Sequence, residues 1–117
     1  MSILNFVFTG TVALLHIYFW ILESWYWTKP LGLRVFRQSL EQAQSSKALA
    51  LNQGYYNSFL AVGLATSLTP VPGADFWRLF LLSCVVAAGL VGGLTVNRRI
   101  FWIQSGPAIL AILTQVL

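Results

Sequence analysis

Charge is what this 117-residue chain has least of. Seven Lys or Arg and three Asp or Glu make up 9% of it, against about 25% in an ordinary soluble domain. That is too little polar material to coat a water-facing surface, which excludes a soluble enzyme and a nucleic-acid binder. The net charge of +4 has a simpler source, Lys and Arg retained in the cytoplasmic loops of a membrane protein. A single cysteine, Cys84, leaves no intramolecular disulfide and no cysteine-based metal site. With one histidine and one carboxylate at hydrophobic depth, no metal is expected. No phosphate-cradling glycine loop, HExxH or CxxCH occurs. The first segment does not read as a cleaved signal, because Trp20, Trp25, Tyr26 and Trp27 fill the region where small residues would mark a cleavage site.

What is present is apolar: 57% of residues are hydrophobic and the mean hydropathy is +0.73. Charge-free stretches run over 1–22, 48–74, 79–97 and 100–117, or 22, 27, 19 and 18 residues. A helix needs roughly 20 apolar residues to cross a bilayer. The expected fold is therefore all-α, a polytopic four-helix transmembrane bundle forming one integral membrane domain over 1–117. Its spans are expected at about 3–26, 52–69, 76–96 and 100–117. Thr28-Lys29-Pro30 stops the first and Pro70-Val71-Pro72-Gly73 turns the chain after the second. Pro107 should kink the fourth by removing one helical hydrogen bond. Residues 31–51 place Leu33, Phe36, Leu40, Ala43 and Ala50 at a near-helical period. They fit either an amphipathic cytoplasmic helix or an extension of the second span.

Loops 27–51 and 97–99 carry six basic residues, and the loop between spans 2 and 3 has only Arg78. That bias places the two basic loops in the cytoplasm, both termini outside, and the chain in the cell membrane. In span 3, Ala88/Gly92 and Gly89/Gly93 form overlapping small-xxx-small spacings of the kind that let helices approach closely. Gly89, Gly92 and Gly93 are the expected contact for a homo-oligomer.

Polar residues at hydrophobic depth are functional candidates by default. His16 and Glu23 are seven residues apart, so they lie about 20° and about 10 Å from each other on one helix face, with Trp20 and Trp27 completing it. They are the candidate acid/base pair. Asn52, Gln53, Tyr56 and Asn57 crowd the start of span 2, with Gly54 among them to permit close approach. Thr95 and Asn97, then Gln104 and Ser105, bring polar groups from spans 3 and 4 to the same cytoplasmic third. The outer third is expected to hold no ionisable group. Trp20, Trp27, Asn52, Gln53, Tyr56, Asn57 and Gln104 are the candidate ligand-binding residues.

The order His16, Glu23, Trp27, Phe36, Asn52-Gln53-Gly54-Tyr55-Tyr56-Asn57 and Phe59-Leu60-Ala61 resembles a widespread family of short, four-span bacterial and fungal membrane proteins classed as a domain of unknown function. The likeness covers nearly the whole chain and implies architecture and site location without an activity. A more distant architectural likeness is to the trimeric membrane glutathione-transferase and eicosanoid enzymes, whose spaced Arg, Asn and Glu on helix 2 are not reproduced here. The expected function is a membrane-embedded pocket that binds or transforms a small lipophilic molecule from the cytoplasmic side, among membrane lipid. An oligomeric small-solute transporter or channel subunit is the alternative, and a structural partner without a site is a third reading. Whether the protein is an enzyme is left open, as is any cofactor.

Overall fold

The computed structural model describes residues 1–117 and is entirely helical. The long helices are α1 (Ile3–Trp25), α4 (Lys47–Ser67) and α5 (Ala74–Thr95). Short helices α2 (Pro30–Phe36) and α3 (Leu40–Ser45) follow α1. After α5 come α6 (Arg98–Ile100), a π-helical turn (Phe101–Ser105) and α7 (Gly106–Val116). The chain forms two compact units, Met1–Leu14 with Val62–Leu117, and Leu15–Ala61; α1 and α4 contribute to both.

Local chemistry explains the breaks. Pro30 opens α2, where its missing N–H costs nothing. Arg37 closes that helix in the left-handed conformation (φ 52°), its N–H donating to the Leu33 carbonyl. Ser39 starts α3 with a capping box. The Gln42 N–H donates to Ser39 Oγ at 3.1 Å, and the Ser39 N–H donates to Gln42 Oε1 at 2.9 Å. These two devices divide the 31–51 segment. It holds two short helices, and its last five residues are already the first turn of α4.

Gly73, at φ 75°, makes the turn into α5. Asn97 caps α6 by accepting from the Arg99 N–H at 2.8 Å. A π-turn stands just before Pro107, where the Gly106 N–H reaches back to the Phe101 carbonyl.

Burial is inverted relative to a water-soluble helix. On α1, Asn5, Thr9, Val12, His16 and Glu23 are buried, a stripe within about 60° of arc at helical spacing. Ile3 (82% exposed) and Leu14 (68%) face outward, as Leu94 (80%) does on α5. Two helices, α1 and α5, are long and apolar enough to cross a membrane. The first turns of α4, Lys47 to Asn57, are too polar to meet that measure, and the last stretch is divided by its π-turn.

In the first unit, α5 packs against the π-turn and α7 through small residues. Gly89, Ser105, Ala108 and Ala111 are buried there, and Ser105 Oγ donates to the Val86 carbonyl at 2.9 Å. A Cβ on Gly92 would meet Ile100 Cγ2 at 2.6 Å, and one on Gly93 would meet Phe101 Cβ at 2.7 Å. The glycine groove expected to serve an oligomer is thus filled by the chain's own next segment.

Candidate functional site

In the second unit the end of α1 meets α4 at Gly54. A Cβ there would lie 2.8 Å from Ser24 Oγ, 3.2 Å from Glu23 Cβ and 3.3 Å from the Trp20 carbonyl oxygen. A side chain at this position would push Ser24 Oγ aside and crowd Glu23 and the Trp20 carbonyl, so glycine favours the close approach, which brings Asn57, three positions on, to the carboxylate. Asn57 Nδ2 donates to Glu23 Oε1 at 2.6 Å. Glu23 is 3% exposed, and its second oxygen, Oε2, has no partner. Trp20 Nε1 and Ser24 Oγ are likewise buried and unpartnered. Buried polar groups are almost always hydrogen-bonded, so three open groups on one helical turn need an explanation. Together they offer a carboxylate acceptor, an indole donor and a hydroxyl able to do either.

Aromatic rings wall this turn. The Trp20 ring lies 5.5 Å from Trp25 and 5.8 Å from Tyr55. Trp27 Nε1 donates to Ser46 Oγ at 3.1 Å, and its ring lies 4.8 Å from Phe36, which ties the α1–α2 connection to α3. His16 is buried, with the Phe19 ring edge-on at 5.9 Å.

Of the residues singled out by pattern, Glu23, Asn57 and Trp20 meet at this seam. Asn52, Gln53 and Tyr56 are exposed, Tyr56 resting against Phe59 at 6.0 Å. Gln104 belongs to the first unit, where its Cβ lies beside Gly89. The packed face of α4 here is Ala50, Gly54, Ser58 and Ala61. That run of small residues at helical spacing was readable and signals the close approach better than the polar run does.

A second polar cluster, in the first unit, surrounds Arg78. Arg78 is a buried helix residue (3% exposed), not a loop charge. Its Nη1 donates to Asp75 Oδ1 at 3.0 Å and Asn5 Oδ1 at 3.3 Å, and its Nη2 donates to the Ser67 carbonyl at 2.6 Å. Asn5 Nδ2 donates to the Ala111 carbonyl at 2.8 Å, and Gln115 Nε2 donates to the Asp75 carbonyl at 2.7 Å. One guanidinium therefore joins α1, α4 and α5, and neighbouring amides add α7. The readable signals were an arginine inside Phe76-Trp77-Arg78-Leu79-Phe80, three residues after Asp75, and an asparagine on the His16–Glu23 face of α1. No group of three His, Cys, Asp or Glu side chains stands together as a metal ion would require.

The fold and both polar clusters define a small all-helical protein with two membrane-length helices and ionisable groups held inside. The chain belongs to the family described as "Protein of unknown function (DUF1304)", which matches over residues 10–116. It is 32% identical over 117 residues to the uncharacterized protein YpaA of Lactococcus lactis subsp. lactis (strain IL1403), covering 97% of this chain and 98% of that one. No solved structure matches it.

Proposed function

We propose that this chain is a four-span protein of the cell membrane whose Glu23–Asn57 seam takes up the polar end of a small lipophilic molecule from the cytoplasmic side. The observation that carries the reading is the set of three open, buried groups, Glu23 Oε2, Trp20 Nε1 and Ser24 Oγ, on one helical turn. An unmatched carboxylate costs several kcal/mol away from water, and a ligand with matching donors and acceptors removes that cost. Asn57 holds the carboxylate in position from the other oxygen. His16, two turns deeper on the same face, is the second acid/base candidate. Trp27, Asn52, Gln53 and Tyr56 then flank the mouth or serve the fold around it, and Gln104, beside Gly89 in the other unit, takes no part in this reading of the seam.

Four spans are supported by lengths as well as by apolar surfaces. Helix α4 has 21 residues, and Arg98 to Val116 is helical without a gap over 19 residues. At 1.5 Å per residue each covers about 30 Å, the thickness of the hydrocarbon core. Six basic residues in the 27–51 and 97–99 loops favour a cytoplasmic location for them, with both termini outside.

The test is native mass spectrometry of the full chain extracted from membranes in mild detergent. Wild type is expected to carry a retained small molecule that Glu23→Gln loses while its circular dichroism stays unchanged. Equal retention by wild type, Glu23→Gln and Trp20→Phe would defeat the proposal, as would the absence of any retained molecule from wild type. Release of the chain from membranes by alkaline carbonate would remove its membrane half.

A further inference from the structure

The cluster around Arg78 is more than a brace between helices. Asn5 from α1, Asp75 and Arg78 from α5, and Thr114 and Gln115 from α7 line a cleft of about 290 Å³. Drug-sized ligands occupy pockets of about 300–1,000 Å³, so this one suits a compact polar group. Two of its buried groups have no partner, Arg78 Nε and Gln115 Oε1. The first is a cationic donor that needs an acceptor, and the second is an acceptor that needs a donor. Asp75 spends one carboxylate oxygen on Arg78, yet its side chain is 86% exposed and forms an open anionic rim.

These charges select a ligand class. A lone anion would be drawn by Arg78 and repelled by Asp75, and a lone cation would meet the opposite balance. A zwitterion that places an oxyanion on the guanidinium and an ammonium on the carboxylate and amide satisfies both open groups at once. The surroundings point the same way. On the outward face of the same turns of α5, opposite Arg78, Phe76, Trp77 and Phe80 cluster, with ring centroids 5.3 Å (Phe76–Trp77) and 6.1 Å (Trp77–Phe80) apart. Phe76 and Trp77 are exposed, as aromatic anchors at headgroup level are.

We propose that the Asp75–Arg78–Gln115 cleft binds a phosphoethanolamine group, its phosphate oxygen on Arg78 and its ammonium on Asp75 and Gln115. The group comes from phosphatidylethanolamine or from a free phosphoethanolamine. The lipid source rests on the membrane reading above, whereas the cleft chemistry is independent of it and of the Glu23 seam.

The experiment uses the full chain in mild detergent and has two arms. In the first, equimolar phosphatidylethanolamine, phosphatidylcholine and phosphatidylglycerol compete, and retained lipid is read by native mass spectrometry. Choline cannot donate a hydrogen bond and glycerol carries no ammonium, so phosphatidylethanolamine should be retained about tenfold over either, the scale of one charge-assisted hydrogen bond. In the second, O-phosphoethanolamine alone is titrated and should raise the thermal midpoint. Asp75→Asn should abolish both the preference and the midpoint rise. Its fold should survive, since Asn keeps a side-chain oxygen that can accept from Arg78 Nη1, the Gln115 bond is to the Asp75 backbone and the side chain is exposed. Arg78→Gln should abolish both too, but it also removes three hydrogen bonds, two of them to other helices, so Asp75→Asn is the deciding variant.

A midpoint rise without lipid preference supports the cleft and assigns it the soluble source. Equal retention of all three lipids with no midpoint rise overturns the proposal. So does an Asp75→Asn chain that keeps either response. Release by alkaline carbonate would sink the membrane reading alone, and the soluble arm would still decide the cleft.

Discussion

Replacing Gly89 with alanine asks whether the small-residue groove of α5 serves the chain itself or a second copy. The added Cβ would overlap Ser105 Oγ, lie 2.9 Å from the Ser105 backbone nitrogen and 3.1 Å from Gln104 Cβ. Ordinary contact begins near 3.4 Å, so the Ser105 backbone must retreat by about half an ångström. Its side chain has little room to turn aside, being fully buried with its hydroxyl committed to the Val86 carbonyl. Overpacking of this kind costs about 1–3 kcal/mol, and contact with backbone puts Gly89→Ala near the top of that range. Helix propensity returns about 1 kcal/mol, which leaves a net loss of about 2 kcal/mol, or roughly 30-fold in the folded-to-unfolded ratio. Gly10→Ala is the control, because a Cβ there meets nothing within 4 Å and should be neutral or stabilising by up to about 1 kcal/mol. Denaturant titration in detergent, followed by circular dichroism, measures both. A Gly89→Ala chain as stable as wild type, or one that changes only its state of association, would falsify the assignment of the groove to Ser105 and Ile100.

Three further outcomes follow from local geometry. Gly32→Ala should be more damaging, about 3 kcal/mol, because its Cβ would overlap the Tyr26 carbonyl oxygen and lie 3.2 Å from Trp27 Cα, all of it backbone; an unchanged unfolding midpoint would contradict this. Asn57→Leu leaves both Glu23 oxygens without a donor and should cost about 1–3 kcal/mol. A double-mutant cycle with Glu23→Leu, which leaves no acceptor, should then show coupling of at least about 0.5 kcal/mol, and additivity would mean that the 2.6 Å contact carries no energy. Ser39→Ala removes the α3 cap and should cost about 1 kcal/mol, seen as faster amide exchange confined to residues 39–45 with exchange elsewhere unaltered.

Much of the helical framework was legible because its boundaries are chemical. Pro30 and Gly73 act through backbone conformation alone, so their effects can be read without knowing what packs around them. The meeting of Glu23 with Asn57 was legible in outline, since both fall at the same end of adjacent helices. Which face of α4 does the meeting was not. Gln53, Tyr56 and Asn57 share a face, but so do Ala50, Gly54, Asn57 and Ser58, and hydrogen-bonding capacity drew attention to the first set. Close approach of backbones decides between them, and it favours the small residues. Arg78 escaped for a related reason: counted as a loop charge it informs only sidedness, and its burial depends on Asn5 and the Ser67 carbonyl, 73 and 11 residues away. The Gly89–Gly93 spacing announced a tight neighbour and pointed to a second copy of the chain. The neighbour proved to be the segment that directly follows Asn97.

The π-turn at Phe101–Ser105 also bears on how this protein can change length. Such a turn holds one residue more than an α-helical turn over the same rise, with the hydrogen bond from Gly106 to Phe101 spanning five positions where four is usual. Excising one residue there lets the segment relax to α pitch and keeps Ala108 and Ala111 turned toward α5. The same excision inside α5 would rotate every later side chain by about 100° and scramble the Arg78 cluster or the glycine groove. Relatives that differ by a single-residue gap should carry it in this turn.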